Sequence, residues 1–182
     1  DFRFGRNREG DVSTVRNAFP SIPIHQVEPL QVDGKTVSSS RIRSAVGEGH
    51  VEEASRLLGC PHRIRGTVIH GDARGRTIGF PTANLQTDAE LMPAQGVYAV
   101  RARCDDHQWK NAVANLGTRP TFDGRGVLME VHVIDFQGDL YGAEMEVEFI
   151  DRIRGEVAFS STNDLIQQIE SDIALANRML NR

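Results

Sequence analysis

Leu128-Met-Glu-Val-His-Val-Ile-Asp135 places Met129, Val131 and Val133 on one face of an extended chain and Leu128, Glu130, His132 and Ile134 on the other. A period of two over a run this short predicts a β-strand. The same alternation recurs on either side. Ala143-Glu-Met-Glu-Val-Glu-Phe-Ile150 repeats it, and Ile64–His70, Gly96–Cys104 and Lys110–Leu116 are strand-like, the last following an expected turn at Asp105-Asp106-His107. Several short strands separated by turns predict an antiparallel barrel or sandwich. Ser160 or Ser161 then opens a helix in which Leu165, Ile166, Ile169, Ile173, Leu175, Ala176 and Leu180 recur mostly at helical spacing. That stripe is expected to pack on the barrel.

Residues 1 to 59 read differently. Pro20, Pro23 and Pro29 punctuate short apolar pieces, Ile22–Ile24 and Gln26–Val32, which resemble buried strands of an α/β sheet. One of Ser38, Ser39 or Ser40 caps a helix over Arg41–Val46, and Gly47 and Gly49 break it. A second short helix, Val51–Leu58, sets Val51, Ala54, Leu57 and Leu58 on one face and is closed by Gly59.

The 182 residues carry a formal charge of −4 and are 39% hydrophobic, enough for a core. The negative balance argues against a general nucleic-acid binder but not against a small phosphate ligand. No apolar run approaches the roughly 20 residues of a membrane helix. Residue 1 is Asp and no signal-like segment follows, so the expectation is a piece of a longer chain. Cys60 and Cys104 have no metal-site spacing, which suggests a reduced, cytoplasmic setting. All basic residues but Lys35 and Lys110 are arginines, suited to bidentate phosphate contacts where they are not a compositional bias.

Chemistry concentrates in Gly71-Asp-Ala-Arg-Gly-Arg-Thr-Ile-Gly-Phe-Pro-Thr-Ala-Asn84. Gly71, Gly75 and Gly79 let backbone N–H groups approach a phosphate, and Arg74 and Arg76 can cover it. It is neither a Walker A loop nor a dinucleotide fingerprint, and an ordinary glycine-rich hairpin loop is the plain alternative. Thr82 and Asn84, two apart, point to one side of an extended segment and offer hard oxygens to a cation; a capped turn is the other reading. Glu130 is either a general base with a tuned environment or a carboxylate on a solvated face. Ser38–Ser40 with Arg41 and Arg43 form either an anion site at a helix N-terminus or a plain cap. Asp135, Asp139 and Tyr141 read as turn chemistry, and His70 and His132 as structural.

Taken together, Asp1-Phe-Arg-Phe-Gly5, Val37-Ser-Ser-Ser-Arg-Ile-Arg43, Leu57-Leu-Gly59, Gly66-Thr-Val-Ile-His-Gly71, Gly79-Phe-Pro-Thr-Ala-Asn84, Gly96-Val-Tyr-Ala99, Asn115-Leu-Gly-Thr-Arg-Pro-Thr-Phe122, Glu130-Val-His132, Asp139-Leu-Tyr-Gly142 and Ile153-Arg154 with Phe159 carry a resemblance. The chain resembles the bacterial bifunctional riboflavin kinase/FAD synthetase family along almost its whole length. The resemblance implies a kinase module at 60–182, a six-stranded antiparallel Greek-key barrel closed by the C-terminal helix. It implies transfer of the γ-phosphate of ATP, with Mg²⁺, to the 5′-hydroxyl of riboflavin, giving FMN and ADP. By position Glu130 matches the base, Thr82 and Asn84 the holders of Mg²⁺ and phosphate oxygens, and Gly71–Gly79 the flap over the nucleotide. Arg154, Glu156 and Phe159 fall in the family's flavin-side loop. Residues 1–59 resemble the partial, C-terminal α/β part of the nucleotidyltransferase module, with Ser39, Arg41 and Arg43 as a residual phosphate element. The N-terminal segment of that module is expected in a full-length parent that also makes FAD, an activity this piece is expected to lack. Two rivals are a non-catalytic barrel that binds oligonucleotides or sugars, and an active FAD synthetase.

Overall fold

The computed structural model describes residues 2–71, 74–105, 108–118 and 127–181. Asp106-His107 of the expected turn, Asp72-Ala73 of the flap, the Arg74 side chain and Arg119-Pro-Thr-Phe122 of the matching motif lie outside these residues. The chain forms two compact units, 1–37 and 38–182.

In the first unit a 3₁₀ turn, Arg6–Arg8, precedes α1, Val12–Ala18. Asp11 and Thr14 form a reciprocal capping box on α1. Strands β1, Gln31–Val32, and β2, Lys35–Thr36, make a hairpin. Its turn residues Asp33 and Gly34 have φ of 54° and 70°, the left-handed pair a tight hairpin needs. The expected buried strands Ile22–Ile24 and Gln26–Val32 are not present; only Gln31–Val32 pairs. Ile22, Val27 and Leu30 are 56%, 90% and 65% exposed. Prolines 20, 23 and 29 donate no backbone hydrogen bond, and apolar content without a period does not specify a ladder.

The second unit begins with α2, Ser39–Gly47, and α3, Val51–Leu58. Ser38 caps α2 by accepting the Arg41 N–H, and Gly59, at φ 76°, ends α3 in the left-handed conformation. Val51, Ala54 and Leu57 of α3 are buried, whereas Leu58 is 42% exposed. Val51 enters the same core as the strands that follow, so residues 38–182 pack as one compact unit.

Those strands are β3, His62–Ile69; β4, Ala83–Gln86, reached through a one-turn helix α3-distal in sequence, α4, Arg74–Thr77; β5, Gly96–Cys104; β6, Lys110–Thr118; β7, Val127–Val133; and β8, Glu144–Arg154. They close in the order β3-β4-β7-β6-β5-β8, every pair antiparallel. Strands β5, β6 and β7 follow one another side by side and β8 returns beside β5, which is a Greek key. Two register shifts between β5 and β8 bend the long β8 so that it pairs with both β5 and β3. Inside lie Ile64, Val68, Leu85, Tyr98, Val100, Ala112, Ala114, Leu116, Met129, Val131, Met145, Val147 and Phe149. Helix α5, Thr162–Leu180, is capped by Ser161 and lays Ala176 and Leu180 on Ala99 outside the barrel.

Phe149 is fully buried and meets Tyr98 edge-on with ring centroids 5.4 Å apart. Phe149→Ala should cost about 3–5 kcal/mol, the range for emptying a packed aromatic site. Denaturant unfolding measures it; a loss below about 1 kcal/mol would contradict a filled barrel.

Candidate active site on the outer barrel wall

Strand register assembles the site. Asn84 of β4 stands opposite Glu130 of β7, Glu130 opposite Asn115 of β6, Asn115 opposite Val97 of β5, and Val97 opposite Arg154 of β8. Directly paired residues share a face. Met129 and Val131 occupy the interior, so Glu130 and its row lie on the outer wall. The wall there is not bare. A cavity of about 450 Å³ lies over it, roofed by α5 and the segment joining β8 to α5. Gly75, Thr82, Asn115, Glu130, Arg154, Glu156, Phe159 and Asp172 all line it. Glu130 is therefore half-buried under a roof rather than inside the barrel or on open surface.

The glycine segment packs on Thr82 and Asn84. A Cβ on Gly71 would fall on the Asn84 side-chain amide, and one on Gly75 would meet the Phe80 carbonyl and come 3.4 Å from Thr82 Oγ1. Only glycine allows both approaches. Asn84 is 6% exposed. Gly79 takes φ 93°, and the Phe80 N–H that follows donates back to the Gly75 carbonyl at 2.8 Å. The expected loop contains the helical turn α4, and Arg76 lines an adjoining cavity of about 200 Å³ with Thr82, Leu140 and Tyr141. His132 Nδ1 donates to the Pro81 carbonyl at 2.8 Å, tying the end of the glycine segment to the strand that carries Glu130. His70 stacks on Tyr141 with centroids 3.7 Å apart, and Asp139 accepts the Tyr141 N–H.

At the other end of the row Arg154 pairs with Asp172, Nη2 to Oδ2 at 2.8 Å, and its guanidinium lies 5.8 Å from the Phe159 ring centre. Glu156 Oε1 comes within 2.7 Å of where a Cβ on Gly117 would stand. Ser39, Arg41 and Arg43 do not line this cavity. Ser38 rather than Ser39 is the cap, Arg43 is exposed, and Arg41 Nη2 holds Glu53 Oε1 at 2.9 Å. That hydrogen bond keeps the Glu53 carboxyl below its usual range.

Sequence reasoning missed Asp172 and Asn115. Asp172 was detectable, since it interrupts the apolar stripe of α5 between Ile169 and Ala176. Asn115 opens one of the stretches that carry the family resemblance, but its type and place on a strand gave it no role. Among the described residues no group of three or more His, Cys, Asp or Glu forms a metal site. Thr82 and Asn84, two apart in the chain and each against a glycine of this segment, offer neutral oxygens, a chemistry that fits a hard cation delivered with its own phosphate ligands.

A family model for riboflavin kinase, the flavokinase family, matches residues 58–180. The chain belongs to the riboflavin kinase family. It is 42% identical over 183 residues to the bifunctional riboflavin kinase/FMN adenylyltransferase of Haemophilus influenzae, covering 100% of this chain and 59% of that one. The counterpart in Bacillus subtilis is 41% identical over 177 residues, 94% of this chain and 56% of the relative. The chain thus spans somewhat over half the length of these relatives. Among solved structures, riboflavin kinase from Trypanosoma brucei matches with a TM-score of 0.53 and 25% identity, over 66% of this chain and 77% of that one. A protein described as a macrolide-efflux protein from Streptococcus pneumoniae matches with a TM-score of 0.90 and 39% identity, over 97% of this chain and 58% of its own. Among the described residues no helix of this riboflavin kinase family member is long and apolar enough to cross a membrane.

The contact between Gly71 and Asn84 gives a test. Gly71→Ala should destabilise by about 1–3 kcal/mol through overpacking, and adding Asn84→Ala should recover most of that loss. Denaturant midpoints of the two singles and the double measure it; losses that simply add would contradict the close approach.

Proposed function

We propose that the chain transfers the γ-phosphoryl group of ATP to the ribityl 5′-hydroxyl of riboflavin, giving FMN and ADP. One observation carries the reading: Asn84, packed against Gly71, is the strand partner of Glu130, and Glu130 shares one cavity with Thr82 and Gly75. Neighbouring strands lie about 4.8 Å apart, so a phosphate held at Thr82–Asn84 and a hydroxyl held at Glu130 are close enough to react.

Phosphoryl transfer asks a protein for positioning and charge neutralisation. Glu130 accepts the 5′-hydroxyl proton as the oxygen attacks the γ-phosphorus. The new O–P bond forms as the bond to the β-phosphate oxygen breaks, and ADP leaves with that electron pair. Thr82 and Asn84 would hold Mg²⁺ together with the nucleotide phosphates. An ion bound there would neutralise phosphate charge. The segment Gly71–Gly79, with Arg74 and Arg76, covers the phosphates. Arg154 lies three strands from Glu130, about 14 Å at the usual spacing. A ribityl chain reaching from Glu130 therefore brings the flavin ring toward Arg154, Glu156 and Phe159.

The names of the relatives support reading residues 1–59 as the end of an adenylyltransferase module and 60–182 as the kinase module. The match of residues 58–180 to the riboflavin kinase family supports FMN as the product of this chain. The net charge of −4 weighs against a nucleic-acid partner. Two free cysteines, one exposed and one half-buried, suit a reducing, cytoplasmic setting.

The reading is tested by incubating the chain with riboflavin, ATP and Mg²⁺ and separating the flavins. FMN without FAD is expected; absence of FMN would overturn the kinase reading, and FAD would overturn the assignment of product. Glu130→Gln should lower kcat by about 10²–10⁴ while leaving riboflavin and MgADP affinity near wild type. Near-normal turnover would remove Glu130 as base. Thr82→Ala or Asn84→Ala should weaken MgADP far more than riboflavin, as calorimetric titration would show, and equal losses would contradict a metal–phosphate role.

A further inference from the structure

We infer that Asp172 is a positioning residue for the flavin-side wall of the cavity, acting through Arg154. The inference rests on the proposed reading that this end of the cavity takes a flat heteroaromatic ring. Asp172 is 4% exposed and lies on the face of α5 that carries Ile169, Ile173 and Ala176. A carboxylate there is costly unless fully partnered. It is partnered on both oxygens. Arg154 Nε donates to Oδ1 at 3.1 Å and to Oδ2 at 3.0 Å, Arg154 Nη2 to Oδ2 at 2.8 Å, and Gln168 Nε2 to Oδ1 at 2.8 Å.

The guanidinium does not stop at the helix. Its Nη1 donates to the Gly155 carbonyl at 3.0 Å, and the Phe159 ring lies 5.8 Å from its centre. One rigid planar group therefore joins α5, the end of β8 and the segment that carries Glu156 and Phe159. Proteins often replace buried ion pairs by apolar residues without losing stability, so stability alone does not account for this one. What an apolar replacement would lose is the fixed plane of Arg154. With Asp172 in place the Arg154 plane is fixed and its charge is cancelled, which suits an uncharged flat ring and lowers the cost of ordering the segment on binding.

The test is a double-mutant cycle on the full chain with Asp172→Asn, Arg154→Lys and both together. Riboflavin Kd is read by fluorescence quenching, and KM for riboflavin and for MgATP by turnover. Each single should raise riboflavin Kd and KM about tenfold and move KM for MgATP by less than about twofold, the size expected for a lost charge-assisted hydrogen bond. The double should also stand about tenfold above wild type, because Asp172 has nothing to act through once Arg154 is gone. A double near a hundredfold, an equal rise for MgATP, or unchanged riboflavin affinity would each overturn the inference. Should Asp172→Asn fail to fold, Gln168→Met decides: a riboflavin-only rise of about threefold at an unchanged Tm supports the role, and no rise overturns it. Wild-type chain that binds riboflavin without phosphorylating it would sink the kinase reading alone, since the Kd cycle still judges Asp172. Wild-type chain that binds no riboflavin would sink both.

Discussion

A six-stranded barrel has no room for a ligand once its inward side chains are in place. Tyr98, Phe149, Met129, Met145 and Leu116 are each fully buried within this one. Close packing of that kind excludes even water-sized voids in most interiors. The filled interior leaves the row that carries Glu130 to the outer wall. There an antiparallel sheet alternates, so each strand that contributes an apolar residue inward contributes its neighbour outward. Glu130 is outward because Met129 and Val131 are inward.

An outer wall by itself is wet and flat. Two additions make it a site. Helix α5 crosses it and, with the segment from Gly155 to Phe159, roofs the part that holds Asn115, Glu130 and Arg154. The glycine segment before β4 closes over Thr82 and Asn84 at the opposite end. The register then fixes order along the wall: Asn84, Glu130, Asn115, Val97, Arg154. In the proposed reading that order puts phosphate chemistry at one end and ring binding at the other, with the proton acceptor next to the phosphate end.

Much of this was legible in the residues. Strand β5 has the bounds its alternation suggests, Gly96–Cys104, and Ser38, Gly59 and Ser161 end or begin helices as their types require. Strand β4 was not legible, since Ala83–Gln86 is only four residues long and follows a proline. Strand β8 runs four residues past Ile150, to Arg154, because bulges carry it around a corner that a period of two does not encode. The apolar pieces at 22–24 and 26–32 misled because they have hydrophobicity without partners. Glu130 shows the limit most plainly: both faces of its strand are apolar, so its side of the barrel was decided by closure, a long-range property. The bond from Arg154 to Asp172 spans a loop and joins a strand to a helix, and no local pattern announces such a pair.

The central claim is that the ligand lies outside the barrel, along the register row and under α5. A crystal structure of the chain with MgADP and riboflavin tests it most directly. The account places the ribityl 5′-hydroxyl within hydrogen-bond reach of the Glu130 carboxylate, the metal and phosphates at Thr82 and Asn84, and the ring against Phe159. Riboflavin bound away from Glu130, or phosphates held anywhere other than beneath the Gly71–Gly79 segment, would contradict it.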